Sequence, residues 1–457
     1  MVLFASTHLT KKETDMTVKN ERWAALRAAI PEKYREDIIN ALDTLYSLYS
    51  PADMARFLGS LYDPKTGGWY HSRSAMNYEQ FGPDIENTYF ALTFMGINGM
   101  AEKFDGEWWR AMPREIIEKA AYWIQSLQDE DGYFYHPQWP KSYIMEYKRQ
   151  SRITRDKGSA GVVLKKAGIP QLYAQKPIAD SEEKKPQGPS LLSQYESDEN
   201  FREYLQGFER ELENYTGDAR AFRFYYYGNL FQSTVGLLSE GMKKMLVEFF
   251  DKYQNPENGM WSDDLYFNST NGIHKIASVY SNIGAELKYV DKIVDSTLKI
   301  LQFDVDTHPA ACGCEVYNIW SCLPYVYENI RLCSPGTPEE REARCRAIID
   351  KVYAGAAEAI LTTYNQIKDS RYPDGSFSYN RNATISTMQG CPCALPDTRE
   401  GDQPGTIIAA YDIPHHIFGA LELREYAPSV FTEEERLIYI DTIYERIAEY
   451  NKNVNNN

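Results

Sequence analysis

Four short polar groups in the sequence contain the residue types that acid–base catalysis requires. They lie at 82–87, 271–275, 304–317 and 412–416, and each begins or precedes an apolar run with the 3.6-residue period of a helix. Four of the seven histidines of the chain fall within these groups. They supply six candidate catalytic residues, namely Asp84, Glu86, His274, Glu315, Asp412 and His415.

The carboxylates and the imidazoles favour different reactions. Two carboxylates that face one cavity could cleave a glycoside, one as the acid and the other as the base or nucleophile. A lyase would instead use a His or Tyr base beside a neutralising Asn or Arg, and Asn271, His274 and Tyr280 are of these types. The alternative for Asp84 and Glu86 is helix capping, and for each histidine it is packing in the core. The candidate substrate-binding residues are Trp69, Tyr89, Tyr227, Asn271, Tyr280, Asp306, His308, Tyr317 and Arg152.

A repeated helix–turn–aromatic pattern predicts the elements that must position these residues. Copies occur at 57–69, 119–134 and 249–261, and a shorter copy occurs at 372–377. The pattern consists of an apolar helical run, a turn rich in Asp, Asn, Pro and Gly, and then an aromatic residue. The glycine suits a left-handed exit from the helix, and the aromatic can fold back onto the helix that it follows.

Further stretches with helical periodicity pair into six helical hairpins, which predicts an all-α fold. The first helices of the pairs are predicted near 34–49, 84–99, 225–239, 271–284, 314–331 and 405–424. The second helices are predicted near 51–62, 114–128, 241–254, 287–302, 339–366 and 433–451.

We expect a single domain over residues 1–457 with one interruption. Residues 135–222 break the helical rhythm and are polar, so we interpret them as an insertion or lid. The tail at 452–457 is expected to fray. Basic residues in the insertion could recognise a carboxylate or phosphate on the ligand, or simply form a solvated helix face. They are Lys148, Arg149, Arg152, Arg155 and Lys157.

The copy at 119–134 resembles the Q-W repeat of terpenoid cyclases. That motif combines a basic and a small residue, an aromatic–aliphatic pair, and then Gln, Gly and an aromatic. Here these are Lys119, Ala120, Trp123, Ile124, Gln128, Gly132 and Phe134. The chain is therefore similar to the α/α-toroid group, which includes terpenoid cyclases, protein prenyltransferase β subunits, and six-hairpin glycosidases and lyases. The resemblance implies an (α/α)6 toroid of two concentric helix rings, with the substrate in the central cavity and the inner helix starts facing it.

Two further resemblances suggest other chemistry. Residues 304–307 are similar to the D-x-D-D acid motif of class II terpene cyclases, with Asp306 at the position of the proton donor, although Thr307 replaces the last acid. Some toroid arabinofuranosidases bind zinc through cysteines and a glutamate, but their order of Glu and Cys is missing here. Buried reduced cysteines are the alternative, so we expect no cofactor. The zinc hypothesis would involve Cys314, Cys391 and Cys393.

Composition excludes several classes of function. The 457 residues include 65 acidic and 49 basic side chains, and the net charge of -16 repels phosphate backbones. We therefore expect no nucleic-acid partner. No membrane partner is expected either, because no apolar stretch approaches the roughly 20 residues of a membrane-spanning helix. The seven cysteines and the short apolar N-terminal run favour a cytoplasmic protein over a disulfide-bonded secreted one.

Tyrosine is abundant, with 35 Tyr against 19 Phe and 8 Trp. These rings suit helix interfaces with wet ends, or a cavity that stacks on and hydrogen-bonds to a sugar. The leading hypothesis is a carbohydrate-active enzyme, a glycoside hydrolase or a lyase, acting on a small-molecule or oligosaccharide substrate. The alternatives are a class II terpene-cyclase-like enzyme that uses Asp306 as its acid, and a non-catalytic glycan-binding toroid.

Overall fold

The computed structural model describes residues 21–97, 99–146, 150–174 and 193–455. It is 66% helix and 4% strand, which confirms the predicted all-α class. One connected cluster of buried apolar side chains draws on helices from both ends of the described chain. Within those ranges, none of the helices combines the length and the apolar character needed to cross a bilayer.

Each predicted helix overlaps an observed helix, although the one predicted at 405–424 is divided. The last helix continues through Asn455, so the tail expected to fray after residue 451 is helical up to that point. The helices in chain order are α1 (21–29), α2 (Arg35–Tyr46), α3 (Pro51–Ser60), α4 (Ile85–Ile97), α5 (Trp108–Ala111), α6 (Arg114–Ser126), α7 (Lys141–Glu146), α8 (Gln150–Ala167), α9 (Asp198–Leu212), α10 (Gly217–Thr234), α11 (Glu240–Tyr253), α12 (Phe267–Ile283), α13 (Val290–Leu301), α14 (Gly313–Cys333), α15 (Pro338–Ile367), α16 (Gln403–Ile407), α17 (Ile413–Ala420) and α18 (Glu433–Asn455). Two short strands, β1 (Thr387–Met388) and β2 (Cys391–Pro392), pair antiparallel.

The four repeated turns share one backbone geometry. Their glycines all adopt left-handed φ angles of 87°, 83°, 73° and 79°, at Gly67, Gly132, Gly259 and Gly375 respectively. A Cβ on Gly259 would lie 2.7 Å from the backbone nitrogen of Ile293, so only glycine fits there. In three copies the end of the helix and the aromatic after the turn form an isolated antiparallel bridge. These bridges are Tyr62–Trp69, Gln128–Phe134 and Arg371–Phe377.

A π-helical turn divides the helix predicted at 405–424. It occupies Ile408–Asp412, between the end of α16 and the start of α17. Pro414 gives the physical reason, because it has no N–H for the preceding turn and its ring crowds the carbonyl four residues earlier. The turn widens, and the N–H of Ile413 donates to the carbonyl oxygen of Ile408. Such turns often occur at functional sites, and this one ends at Asp412.

Helix α8, within the segment predicted to be an insertion or lid, packs against α4 and α6. Four apolar residues of α8 are buried in the main core, and their spacing places them on one helix face. They are Ala160, Val163, Leu164 and Ala167. Lys148 and Arg149 of the basic cluster lie outside the described residues.

Two sets of helices support the site. In the first set, α10 packs on α12, α12 on α14, α14 on α17, and α4 on both α8 and α16. In the second set, α2 and α13 pack on α15, α3 packs on α18, and α9 packs on α11. The α3–α18 contact joins the first part of the described chain to its last helix. Polar side chains from the first set form the site that follows.

Candidate active site

Two neighbours fix the orientation and the tautomer of His274 in α12. Its Nδ1 lies 3.0 Å from Asn318 Oδ1 and 3.1 Å from Ser321 Oγ. Both atoms accept here, because an amide oxygen cannot donate and the Ser321 hydroxyl donates to the carbonyl oxygen of Asn318. Nδ1 therefore carries the proton and Nε2 keeps its lone pair. Burial lowers the pKa of His274 to about 4, so the imidazole is neutral near pH 7.

Asp412 is a buried carboxyl group that keeps its proton up to a pH of about 7. Burial raises its pKa from 3.8 to about 7, and no charged partner among the described residues offsets that burial. Tyr317 lies close enough for the charge of Asp412 to raise its pKa, although burial is the larger cause. The Tyr317 ring centroid is 6.4 Å from that of His274 and 5.1 Å from that of His416. A neutral acid and a neutral base thus lie near the same tyrosine.

Two thiols lie at the start of α14, next to these groups. Both thiols lie near the Tyr379 hydroxyl and contribute to the raised pKa of Tyr379, for which burial is the larger cause. Asn318 Nδ2 donates to Cys314 Sγ over 3.2 Å, so the amide that orients His274 also binds this thiol. Burial raises the pKa of Cys314, and it raises the pKa of Cys312 to about 12. Both groups are therefore thiols rather than nucleophilic thiolates at pH 7.

The three cysteines considered as zinc ligands lie in two different environments. Cys314 is next to Tyr379 and Asn318, as described above. Cys391 and Cys393 belong to a separate small cluster of buried residues that includes Trp139. Across the described ranges, no group of three or more His, Cys, Asp or Glu could hold a metal ion.

A buried ion-pair network joins α4 to α8. Arg152 Nη1 lies 2.8 Å from Glu86 Oε2, and its other nitrogens bind both carboxylate oxygens of Asp156. These three side chains are 1–2% exposed. Glu86 Oε1 also accepts a hydrogen bond of 2.6 Å from Arg155 Nη1, and Arg155 itself is half exposed. Guanidinium groups therefore occupy both oxygens of Glu86, which makes it a support for Arg155 rather than a free acid or base.

Asp84 acts as the N-cap of α4. Its Oδ1 accepts from the backbone N–H of Asn87 at 2.9 Å, and its Oδ2 accepts from Asn87 Nδ2 at 2.5 Å. Burial raises the pKa of Asp84, while the charges of Arg152 and His136 oppose the rise. His136 is fixed too, because its Nε2 accepts from the backbone N–H of Ile85 over 3.0 Å. The capping alternative thus describes Asp84.

Lys275 and Tyr225 complete the lining. Lys275 packs against α10, where a Cβ on Gly228 would lie 2.8 Å from the Cβ of Lys275. Burial lowers the pKa of Lys275, and the nearby charge of Arg155 lowers it further. Cys314 and Arg155 also influence Tyr225 of α10. Side chains from α4, α8, α10, α12, α14 and the π turn before α17 therefore converge on one region.

Two tyrosines predicted to bind substrate anchor neighbouring helices instead. The hydroxyl of Tyr280 donates to Asp251 on α11 over 2.8 Å. The hydroxyl of Tyr227 donates to Glu211 on α9, also over 2.8 Å. Both hydroxyls thus point from the first set of helices to the second, away from His274.

Other predicted residues lie in the core or at helix starts. Trp69 is fully buried, and Tyr89 packs against the same core. Asn271 donates from its side chain to another asparagine of α12. Glu315 Oε2 accepts from the backbone N–H of Ala311 at 2.6 Å, and burial raises its pKa.

Three predicted residues face other parts of the surface. Asp306 and His308 are exposed in the loop between α13 and α14. His415 is exposed and lines a separate cavity of about 470 Å³ together with Arg424. Its neighbour His416 is the histidine that reaches Tyr317.

Sequence patterns did not identify four residues of the site, which are Lys275, Asn318, Tyr225 and Tyr379. Arg155 belonged to the basic group that could recognise a carboxylate, and its i, i+3, i+4 spacing with Arg152 and Asp156 places these three residues on a single helix face. Tyr379 lies in a loop, where no periodicity marks it.

The arrangement can move protons. It combines a proton acceptor at His274 Nε2, a proton donor at Asp412 and two cations near a group of tyrosines.

No protein-family model matches the chain, and searches among curated proteins and among solved structures find no significant match.

Proposed function

We propose that the chain is a carbohydrate-active enzyme with an (α/α)6 toroid fold, which cleaves an oligosaccharide in the central cavity. The chain of contacts from α10 through α12 and α14 to α17 supports an inner ring, and the contacts of α13 with α15 and of α3 with α18 support an outer ring. Helix α2, which the hairpin pairing assigns to the inner ring, packs on α15 instead. The turn glycines add support at two points. A Cβ on Gly375 would lie 3.1 Å from the backbone nitrogen of Met54 in α3, as one on Gly259 would approach Ile293 in α13. Each of these two turns thus packs on another helix of the second set, and the turn at Gly375 contacts a helix more than 300 positions earlier in the sequence.

The pairing of His274 with Asp412 carries the functional proposal. In hydrolysis, His274 Nε2 takes a proton from the attacking water, and the Asp412 carboxyl gives its proton to the departing glycosidic oxygen. In elimination, the same base takes a carbon-bound proton and the same acid protonates the same oxygen. Both schemes need a neutral imidazole and a neutral carboxyl at the same pH. The pKa of His274 is about 4 and that of Asp412 is about 7, so both groups are neutral between these two pH values.

The side chains around this pair favour a sugar as the substrate. Tyr225, Tyr317 and Tyr379 are all partly accessible. Their rings can stack on a pyranose face and their hydroxyls can bind its hydroxyls. Arg155 and Lys275 add polar donors. A prenyl substrate would instead require a largely hydrocarbon lining.

A turnover assay tests the proposal. Neutral and uronate-containing oligosaccharides are incubated with the protein, and new reducing ends and new unsaturated ends are measured separately. We expect turnover, with kcat lowered about 100-fold or more in Asp412→Asn and in His274→Asn. The second variant keeps a donor near the Nδ1 position and removes the Nε2 lone pair. The exposed Asp306→Asn variant is the matched control and should keep full activity.

The same assay separates the alternatives. The proposal is contradicted if Asp306→Asn loses activity while Asp412→Asn keeps its turnover. That result would favour Asp306 as the acid of a cyclase-type reaction. The exposed position of Asp306 argues against that outcome, because a strong acid for an alkene must be shielded from water. Sugar binding without turnover by any form of the protein would favour a non-catalytic glycan-binding toroid.

A further inference from the structure

The candidate active site contains a positive charge that its neighbours do not balance. Lys275 is half-buried beside Cys314, and within the described residues no carboxylate lies within ion-pair distance of its ammonium group. Partial burial of an unpaired charge is unfavourable. An acidic chain of net charge -16 has many carboxylates with which to pair this lysine, so its isolation at this position indicates a site for an anion from outside.

Arg155 is held beside it in a fixed position. Its Nη1 is bound to Glu86 Oε1 at 2.6 Å, and Glu86 is fixed in turn by Arg152 at 2.8 Å. The Arg155 side chain is nevertheless 52% exposed, and Glu86 engages only one of its guanidinium nitrogens. Arg152 and Asp156 also form a pair, which makes this network rigid and nearly neutral as a whole.

Counting charges limits the ligand to one negative charge. The pairs Arg155–Glu86 and Arg152–Asp156 each cancel, because Arg152 binds both oxygens of Asp156 and holds this carboxyl ionised against the effect of its burial. Below a pH of about 7 Asp412 is protonated and the nearby thiols and tyrosines are neutral, so Lys275 leaves one positive charge uncompensated. A monoanion balances it, whereas the dianion of a phosphate monoester leaves an excess of negative charge.

We propose that the substrate carries a carboxylate, as a uronic acid does, and that Lys275 and Arg155 bind it in the cavity. The planar edge of a guanidinium matches a carboxylate, and the ammonium supplies the balancing charge. This inference rests on the proposed function, because it names the substrate class of the same site. Glu86 and Arg152 then act as positioning residues for Arg155.

A carboxylate held next to His274 also selects between the two reactions. Binding by two cations makes the hydrogen on the neighbouring carbon more acidic. His274 Nε2 removes that proton, the electron pair forms a C=C bond, and the C–O bond to the glycosidic oxygen breaks. Asp412 supplies the proton that this oxygen needs, so atoms and electrons balance without a further reactant. We therefore infer elimination rather than hydrolysis.

Titration calorimetry on the inactive Asp412→Asn protein tests the binding claim separately from catalysis. The probes are glucuronate, galacturonate and mannuronate oligosaccharides, each compared with its carboxyl-reduced neutral counterpart. We expect at least one uronate oligosaccharide to bind about tenfold or more tightly than its neutral counterpart. Adding Lys275→Met should weaken that binding about 10- to 100-fold and remove the preference. Adding Lys275→Arg should restore much of it, and adding the exposed Lys292→Met, which makes the same charge change on α13, should have no effect.

The outcomes separate this inference from the proposed function. If every uronate oligosaccharide binds with the same affinity as its neutral counterpart, the inference is overturned. The proposed function still holds in that case if the wild type cleaves neutral sugars. A preference for uronates that survives Lys275→Met equally overturns it. Tighter binding of sulfated than of uronate oligosaccharides would reject the carboxylate. If uronate binding depends on Lys275 but the wild type shows no turnover, the proposed carboxylate site stands and the enzymatic function is rejected.

Discussion

Replacing Asp412 with asparagine should make the protein more stable at neutral pH while it removes activity. Burial raises the pKa of this carboxyl from 3.8 to about 7 in the folded protein. Between these values the unfolded chain is ionised and the folded chain is not, so the unfolded state binds fewer protons. The free energy of unfolding therefore falls as the pH rises through this interval, and it levels off above the folded pKa.

The magnitude follows from the size of the pKa shift. At about 1.4 kcal/mol per pKa unit, a shift of about three units costs at most about 4 kcal/mol above pH 7. The carboxyl is partly accessible to solvent, which reduces the expected cost to about 2 kcal/mol. An amide does not ionise, so Asp412→Asn escapes this cost.

Urea unfolding at about pH 5 and about pH 8 measures the effect. The stability of Asp412→Asn relative to the wild type should rise by about 1–2 kcal/mol between the two pH values. Asp306→Asn, at an exposed site, should change stability by less than about 0.5 kcal/mol at both. If the stability difference between Asp412→Asn and the wild type were the same at both pH values, Asp412 would not be a buried carboxyl that carries a proton.

Three further substitutions test the supporting structure. Glu86→Gln leaves the buried Arg152 with one carboxylate fewer, so urea unfolding should show a loss of about 3 kcal/mol, and a loss below about 1 kcal/mol would contradict the network. Gly259→Ala should lower the free energy of unfolding by about 2 kcal/mol or more, because its Cβ meets the Ile293 nitrogen. Gly284 also has a positive φ but has open space around it, so Gly284→Ala should cost only about 1 kcal/mol. Equal losses in the two variants would contradict the tight turn at Gly259. Tyr280→Phe removes the hydrogen bond to Asp251, so it should cost about 1 kcal/mol in thermal unfolding and leave kcat unchanged, and a large loss of kcat would return Tyr280 to the site.

Local sequence signals predicted the helices and the turns well. The turn glycines could be recognised because a left-handed helix exit needs a residue without Cβ, and all four adopt that conformation. The amphipathic spacing of Ala160, Val163, Leu164 and Ala167 was equally local, but the polar residues around them made α8 resemble a surface segment.

The site was harder to predict because it depends on contacts between distant segments. Glu86 and Asp84 have the right chemistry, yet Arg152 and Asn87 engage them. His415 and His416 are adjacent, but successive residues of a helix point in different directions, and only His416 reaches Tyr317. The π turn that presents Asp412 depends on how the chain accommodates Pro414, which helical periodicity alone does not predict.

A crystal structure of the Asp412→Asn protein with a bound uronate oligosaccharide tests the central claim most directly. We predict that the sugar lies among α4, α8, α10, α12, α14 and α17. Its carboxylate should lie within hydrogen-bond distance of Lys275 and Arg155, and its glycosidic oxygen should lie within reach of residue 412. A sugar bound in the cavity beside His415 and Arg424, with His274 and Lys275 untouched, would contradict it.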